Sequence, residues 1–209
     1  MISTIISFFD RTLFPRSCFI CKEESPLSLC ENCLRSFAKS YETPSPFITS
    51  MYSYKDRRIK RIIHAIKYFH RKDLIVPLAM HTKGKMDILP NFSNSYALIP
   101  IPMPRLRRYI RGYNHAEELA KQLSLLTKIP LRSDVLARPS LTRRQVMTKT
   151  RHERLKNQHN TFVLKNPIDK STTVFLIDDV TTTGATLHEA RKLLLGIGVE
   201  RVFAYTIAH

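Results

Sequence analysis

The sequence predicts an α/β fold, a mostly parallel sheet with flanking helices, preceded by a small N-terminal module built on four cysteines. Three observations predict it. Short β-branched or apolar runs alternate with stretches of helical periodicity between residues 47 and 207, the pattern of parallel strands joined by crossover helices. The run from Val174 ends in two adjacent carboxylates, a small-residue loop and a helix start, as at the ligand-binding edge of such a sheet. All four cysteines stand in two C-x2-C pairs early in the chain.

Taken in order, Ile2, Ile5, Ile6, Phe9 and Leu13 recur at helical spacing and predict a short amphipathic helix, packed on the domain in preference to a membrane surface. The cysteine module covers about residues 14–37, and the turn-forming Pro44-Ser45-Pro46 follows it. This divides the chain into residues 1–42, the helix and cysteine module, and residues 43–209, the sheet domain. Phe47 to Tyr54 reads as a strand, and Ile59, Ile62, Ile63 and Ile66 mark one face of a helix whose polar face carries Lys60, His64, Lys67 and Arg71. Tyr96 to Pro100 reads as a buried strand that enters a proline- and arginine-rich loop. Ala116, Leu119, Ala120, Leu123 and Leu126 then give the next amphipathic helix. Residues 138–160 are basic and weakly periodic and predict a long mobile excursion. Thr173 to Ile177 is a β-run, Ala185 to Leu195 a helix and Arg201 to Ile207 a last strand.

Charge narrows the function classes. The net charge is +17, and residues 55–165 hold 25 basic against 7 acidic side chains, while the segments on either side are nearly balanced. Such concentration points to a polyanionic partner: nucleic acid, acidic lipid, or a diphosphate substrate together with one of them. No apolar run approaches the roughly 20 residues that span a bilayer, and residues 2–9 lack the basic leader and cleavage site of a secretory signal. A cytoplasmic protein is expected, with the inner face of the cytoplasmic membrane as a peripheral option.

Three motifs carry chemistry. Asp178 and Asp179 close a buried strand, and Thr181, Thr182, Thr183, Gly184, Ala185 and Thr186 follow. Gly184 can take the backbone geometry that turns N–H groups toward a phosphate, and the helix after it adds its positive end. Carboxylates suit the hydroxyls of a phosphosugar, although strand-end acids also bind metals or cap helices. The cysteines, Cys18, Cys21, Cys30 and Cys33, have the spacing of a tetrahedral structural Zn²⁺ site. The alternative, two disulfides, needs an oxidising compartment. Arg105, Arg107, Arg108 and Arg111 crowd the loop after Pro100 and can neutralise a diphosphate.

The segment from Val174 to Thr186 resembles the signature by which type I phosphoribosyltransferases bind 5-phosphoribosyl 1-diphosphate (PRPP). The resemblance implies that fold. It also implies that Asp178 and Asp179 are the catalytic-site acids on the ribose hydroxyls with Mg²⁺ nearby, that residues 181–186 cradle the 5′-phosphate, and that Arg105 and Arg111 meet the diphosphate. The whole order of elements is similar to the ComF (GntX-like) family: the cysteine module, Ile66-Lys67-Tyr68, P-x-P before Arg111-Gly112-Tyr113-Asn114, Thr142 to Gln145, Arg154 to Asn157, and the terminal phosphate loop. His115 departs from it, since the family usually has glutamine there. Members are associated with DNA uptake in natural transformation, which implies single-stranded DNA and other uptake proteins as partners. Candidates to hold DNA are Lys60, Lys67, Arg71, Arg107, Arg108, Arg143, Arg144 and Arg151, with Tyr68, Phe69, His70 and Tyr113 as stacking rings. Two other readings share the site: a phosphoribosyltransferase acting on a nucleobase-like acceptor, and a DNA-binding adaptor whose PRPP site is vestigial.

Overall fold

A computed structural model describes residues 17–41, 43–86, 95–139 and 161–209. Its centre is a parallel four-stranded sheet of β1 (Ile48–Tyr52), β2 (Tyr96–Pro100), β5 (Thr173–Val180) and β6 (Arg201–Ala208), in the order β1-β6-β5-β2. The period-2 alternation of β5 explains why both faces are covered. Val174 and Leu176 turn to one side, where they meet Leu187, Ala190 and Leu194 of helix α6 (Ala185–Gly196). Phe175 and Ile177 turn to the other, into a larger core with α2 (Arg57–Tyr68), α3 (Ile75–Met86) and α5 (His115–Thr127). Outside β2 the chain adds a further parallel contact, with the Leu98 N–H donating to the Pro130 carbonyl at 2.9 Å. Beyond it, β3 (Leu136–Ala137) pairs antiparallel with β4 (Val163–Leu164), joining the two ends of a segment whose residues 140–160 lie outside the described part.

Several elements depart from the sequence reading, each for a local reason. The arginine-rich loop contains a short helix, α4 (Arg105–Arg111), which starts after Pro104 and stops at Gly112 with φ 72°. None of its residues is buried: Leu106, Tyr109 and Ile110 recur at helical spacing, but the face they form is exposed, and the prolines and arginines around them read as a loop. Helix α3 carries Pro77 and Gly84 and little amphipathic contrast, yet a proline in the first turn costs no helical hydrogen bond. Helix α2 ends at Tyr68 and His70 adopts φ 52°, so Arg71 has left the face that holds Lys60 and Lys67. Strand β5 runs three residues past Ile177, which puts both aspartates inside the sheet, Asp178 opposite Thr206.

The cysteine module packs on the main core: Leu29, Leu34 and Phe37 join the cluster around α2. Its helix α1 (Glu31–Ser36) is tied down by Asp56, which accepts from the Arg58 N–H at 2.9 Å as the N-cap of α2 and from the Ala38 N–H at 3.1 Å. Arg58 pairs with Asp56 at 2.8 Å and donates to Ser36. The Arg58 side chain and these amides hold the Asp56 carboxyl down at about 2. A lowered folded pKa stabilises above the ordinary carboxylate range and loses that stabilisation as pH falls through the folded value. Asp56→Ala is therefore expected to cost about 1–2 kcal/mol near neutral pH, the worth of a good cap, and to cost much less near pH 2. Denaturant titrations of both proteins at the two pH values check this.

Candidate functional site

The four cysteine sulfurs lie within 4.8 Å of one another, and all four are free thiols. A left-handed residue, Lys22, turns the chain sharply after Cys21, and Cys30 caps α1, accepting from the Cys33 N–H at 3.5 Å. Cys21 and Cys30 are 3.7 Å apart at sulfur, close to the edge of about 3.8 Å that four Zn–S bonds of ~2.3 Å require. Burial opposes ionisation of Cys18, but the N–H groups of Cys30, Cys21 and Ile20 outweigh it and draw the thiol down to about 6. Burial and then the neighbouring sulfurs push Cys33 strongly up. Four thiolates cannot share this space without a cation, and the donor set is one that could bind zinc.

The two aspartates stand at the C-terminal edge of the sheet, where strand ends and the helices after them leave room for a ligand. They line a cleft of about 220 Å³ together with Lys67, Arg107, Arg111, Asn114, His115, Arg138 and Thr186. Each aspartate accepts from the next backbone N–H, Asp178 from Asp179 at 2.8 Å and Asp179 from Val180 at 2.7 Å. Lys67 reaches over from α2 to within 2.9 Å of Asp179, an ion pair with both side chains mostly buried. Burial, and next the charge of Asp179, push the Asp178 carboxyl up to about 8. A cation brought close to Asp178 would favour its carboxylate form.

The loop after β5 is shaped for an anion. Gly184 sits at φ 74°, and a Cβ there would come within 2.9 Å of Ile48 Cδ1, so only glycine fits. Thr181 is buried and donates its N–H to the Ala208 carbonyl at 3.1 Å, which anchors the loop to β6. His209 donates from Nε2 to the Thr182 carbonyl at 2.9 Å. Thr182 and Thr183 remain exposed, and Thr183 Oγ1 accepts the Ala185 N–H at 3.4 Å as α6 begins.

The remaining predicted residues fall in several places. Arg111 and Arg107 line the aspartate cleft, whereas Arg105 lies on exposed α4 away from it. Lys67 belongs to the cleft, and Lys60 opens on a second cleft that Thr181 and Thr182 also line. Arg71 makes a two-point pair with Asp73 at 2.8 and 2.7 Å and lies over Phe19; Arg108 is 3.6 Å from Glu117. Tyr68 and Phe69 are exposed, Tyr68 beneath Arg111, but Tyr113 is a core ring whose hydroxyl donates to the Ile66 carbonyl at 2.8 Å. Arg143, Arg144 and Arg151, and the motifs Thr142 to Gln145 and Arg154 to Asn157, lie outside the described residues, as does the N-terminal helix.

Comparison with known proteins adds what geometry does not. No protein-family profile matches the chain. It is 40% identical to Competence protein F of Haemophilus influenzae over 114 residues, 54% of this chain and 49% of that protein. It is 32% identical to Competence protein ComFC of Bacillus subtilis over 154 residues, 71% of this chain and 58% of the relative. These matches support a place in the ComF family. A third relative is the DNA utilization protein YhgH of Escherichia coli O157:H7, 28% identical over 149 residues, 68% of this chain and 63% of that protein. The chain spans about half to two thirds of the length of these relatives. Against this family background, His115 is the residue whose setting the sequence left unread. It is 1% exposed, it lines the aspartate cleft, and neither ring nitrogen has a hydrogen-bond partner. Burial holds its imidazole down at about 4, so it enters the cleft neutral, with one donor and one acceptor unused. Its signals in the sequence were its departure from the family's glutamine and its position directly after Asn114, the N-cap of α5.

Proposed function

We propose that this ComF-family chain takes part in DNA uptake during natural transformation, binding PRPP with Mg²⁺ in the Asp178–Asp179 cleft and single-stranded DNA on its basic surface. The relatives named for competence and DNA utilization support the process. One observation carries the ligand: the aspartate pair and the Gly184 loop share the edge of one strand, facing four cations. Asp178 and Asp179 would accept from the ribose hydroxyls, and Thr182, Thr183 and the start of α6 would receive the 5′-phosphate. Arg107, Arg111, Arg138 and Lys67 would neutralise the diphosphate. Mg²⁺ fits this donor set of carboxylates beside phosphate oxygens and would spread the remaining negative charge. Zinc in the four-cysteine cluster would hold the module against α2. The helices among the described residues include none long and apolar enough to cross a membrane.

The DNA half of this reading has a direct test. Binding of an oligodeoxythymidylate should weaken steeply with salt, with a log–log slope of about −0.7 per phosphate neutralised. A fluorescence-anisotropy series over salt measures it. Absence of binding near roughly 150 mM salt, where even nonspecific sites reach about 10⁻⁴–10⁻⁶ M, would contradict DNA handling.

A further inference from the structure

The second cleft lies against the phosphate loop, of which Thr181 and Thr182 line it, and its other walls belong to none of the motifs. Its volume is about 510 Å³, within the range of roughly 300–1,000 Å³ typical of ligand clefts. Lys39, Lys55 and Lys60 line it, with Tyr41 and Tyr54, and Thr182 forms the wall toward the PRPP loop. Among the described residues lining it there is no acidic side chain, in contrast to the aspartate cleft. Tyr41 is 92% exposed, and the Lys60 ammonium stands 5.6 Å from the Tyr54 ring.

We infer that this cleft seats one or two nucleotides of a single DNA strand, with backbone phosphates on Lys39, Lys55 and Lys60 and bases against Tyr41 and Tyr54. The inference rests on the DNA-binding reading above and gives it an address. Lysines recognise phosphate, and open tyrosine rings recognise any base by stacking; together they make the usual design for unspecific single-strand binding. The competing surface, around Tyr68, Phe69 and α4, has acidic partners beside two of its cations: Arg108 faces Glu117 and Arg71 is paired with Asp73. Thr182 connects the new cleft to the PRPP site, since its carbonyl is held by His209, whose backbone in turn accepts the Tyr54 N–H at 2.7 Å. A strand seated here would lie one loop away from the phosphoribosyl group.

The test uses the full chain and an oligodeoxythymidylate. Lys39→Glu with Lys55→Glu is expected to lower DNA affinity at least tenfold and to flatten the salt slope, while PRPP affinity stays within twofold. Unchanged DNA affinity in this variant, with a large loss in Arg105→Glu/Arg108→Glu, overturns the cleft and leaves DNA handling intact. No DNA binding by the wild type overturns DNA handling itself, and with it the cleft. Photocrosslinking a bromodeoxyuridine oligonucleotide to the unaltered protein guards against a variant that fails to fold. Adducts at Tyr41 or Tyr54 are expected; adducts confined to Tyr68, Phe69 or Tyr109 contradict the assignment.

Discussion

Replacing Asp178 and Asp179 together with asparagine is expected to weaken PRPP binding by roughly two or more orders of magnitude. Each amide fills nearly the same space but offers a neutral acceptor to a ribose hydroxyl, and a hydrogen bond to a charged group is worth about 1.5–3 kcal/mol. The fold should survive, and the pH dependence provides the control. Asp178 is held up to about 8 in the folded chain, far above the unfolded carboxyl, so the folded state binds the extra proton. Stability is then greatest below the unfolded pKa and declines as pH rises through about 8. Asp178→Asn removes that decline, and its melting temperature should match or exceed the wild-type value by a few degrees (~2–5 °C) in mildly alkaline buffer. A variant with lost PRPP affinity and unimpaired melting isolates the ligand contact from folding.

The second large effect is expected at the metal cluster. Protein purified under reducing conditions should carry about one equivalent of zinc, and Cys18→Ser or Cys33→Ser should give insoluble or protease-sensitive material. The reason lies in the packing. Cys18 and Cys33 are buried, and Leu29, Leu34 and Phe37 of the same module complete the core around Ile59, Ile62 and Ile66 of α2. Structural zinc sites contribute folding energy outright, so an open site releases the module and uncovers that face of α2. Lys67, on the same helix, holds Asp179, so damage at the cysteines should reach the ligand cleft as well. Metal analysis of folded, reduced protein that finds no zinc contradicts the assignment.

Much of the fold was legible in the sequence because burial imposes periodicity. Strand β2 appears at the bounds its apolar run predicts, and the isoleucines of α2 are all buried. Where an apolar stripe is short and stays exposed, as Leu106, Tyr109 and Ile110 of α4 do, or where a proline and a glycine interrupt the pattern, as in α3, the sequence reads as loop. The site divides in the same way. Asp178, Asp179 and Gly184 are local in sequence, and their motif places them correctly at one strand end. The other walls come from afar, and one-dimensional spacing could not show that Lys67 turns inward to Asp179 while Lys60, on the same helix, faces the second cleft. Nor could it show that Asp73 engages Arg71, because pairing depends on the turn at His70 that follows the helix.

The central claim is that the aspartate cleft holds PRPP with Mg²⁺, and calorimetric titration of the unaltered chain tests it most directly. One site per chain is predicted, with binding that depends on Mg²⁺. Repeating the titration in buffers of different ionisation enthalpy should show net proton release near neutral pH, since the bound ligand favours the carboxylate form of Asp178. Folded, zinc-loaded protein that gives no binding heat with PRPP and Mg²⁺ in any of these buffers, and no protection of the cleft in a parallel hydrogen-exchange measurement, would contradict the account.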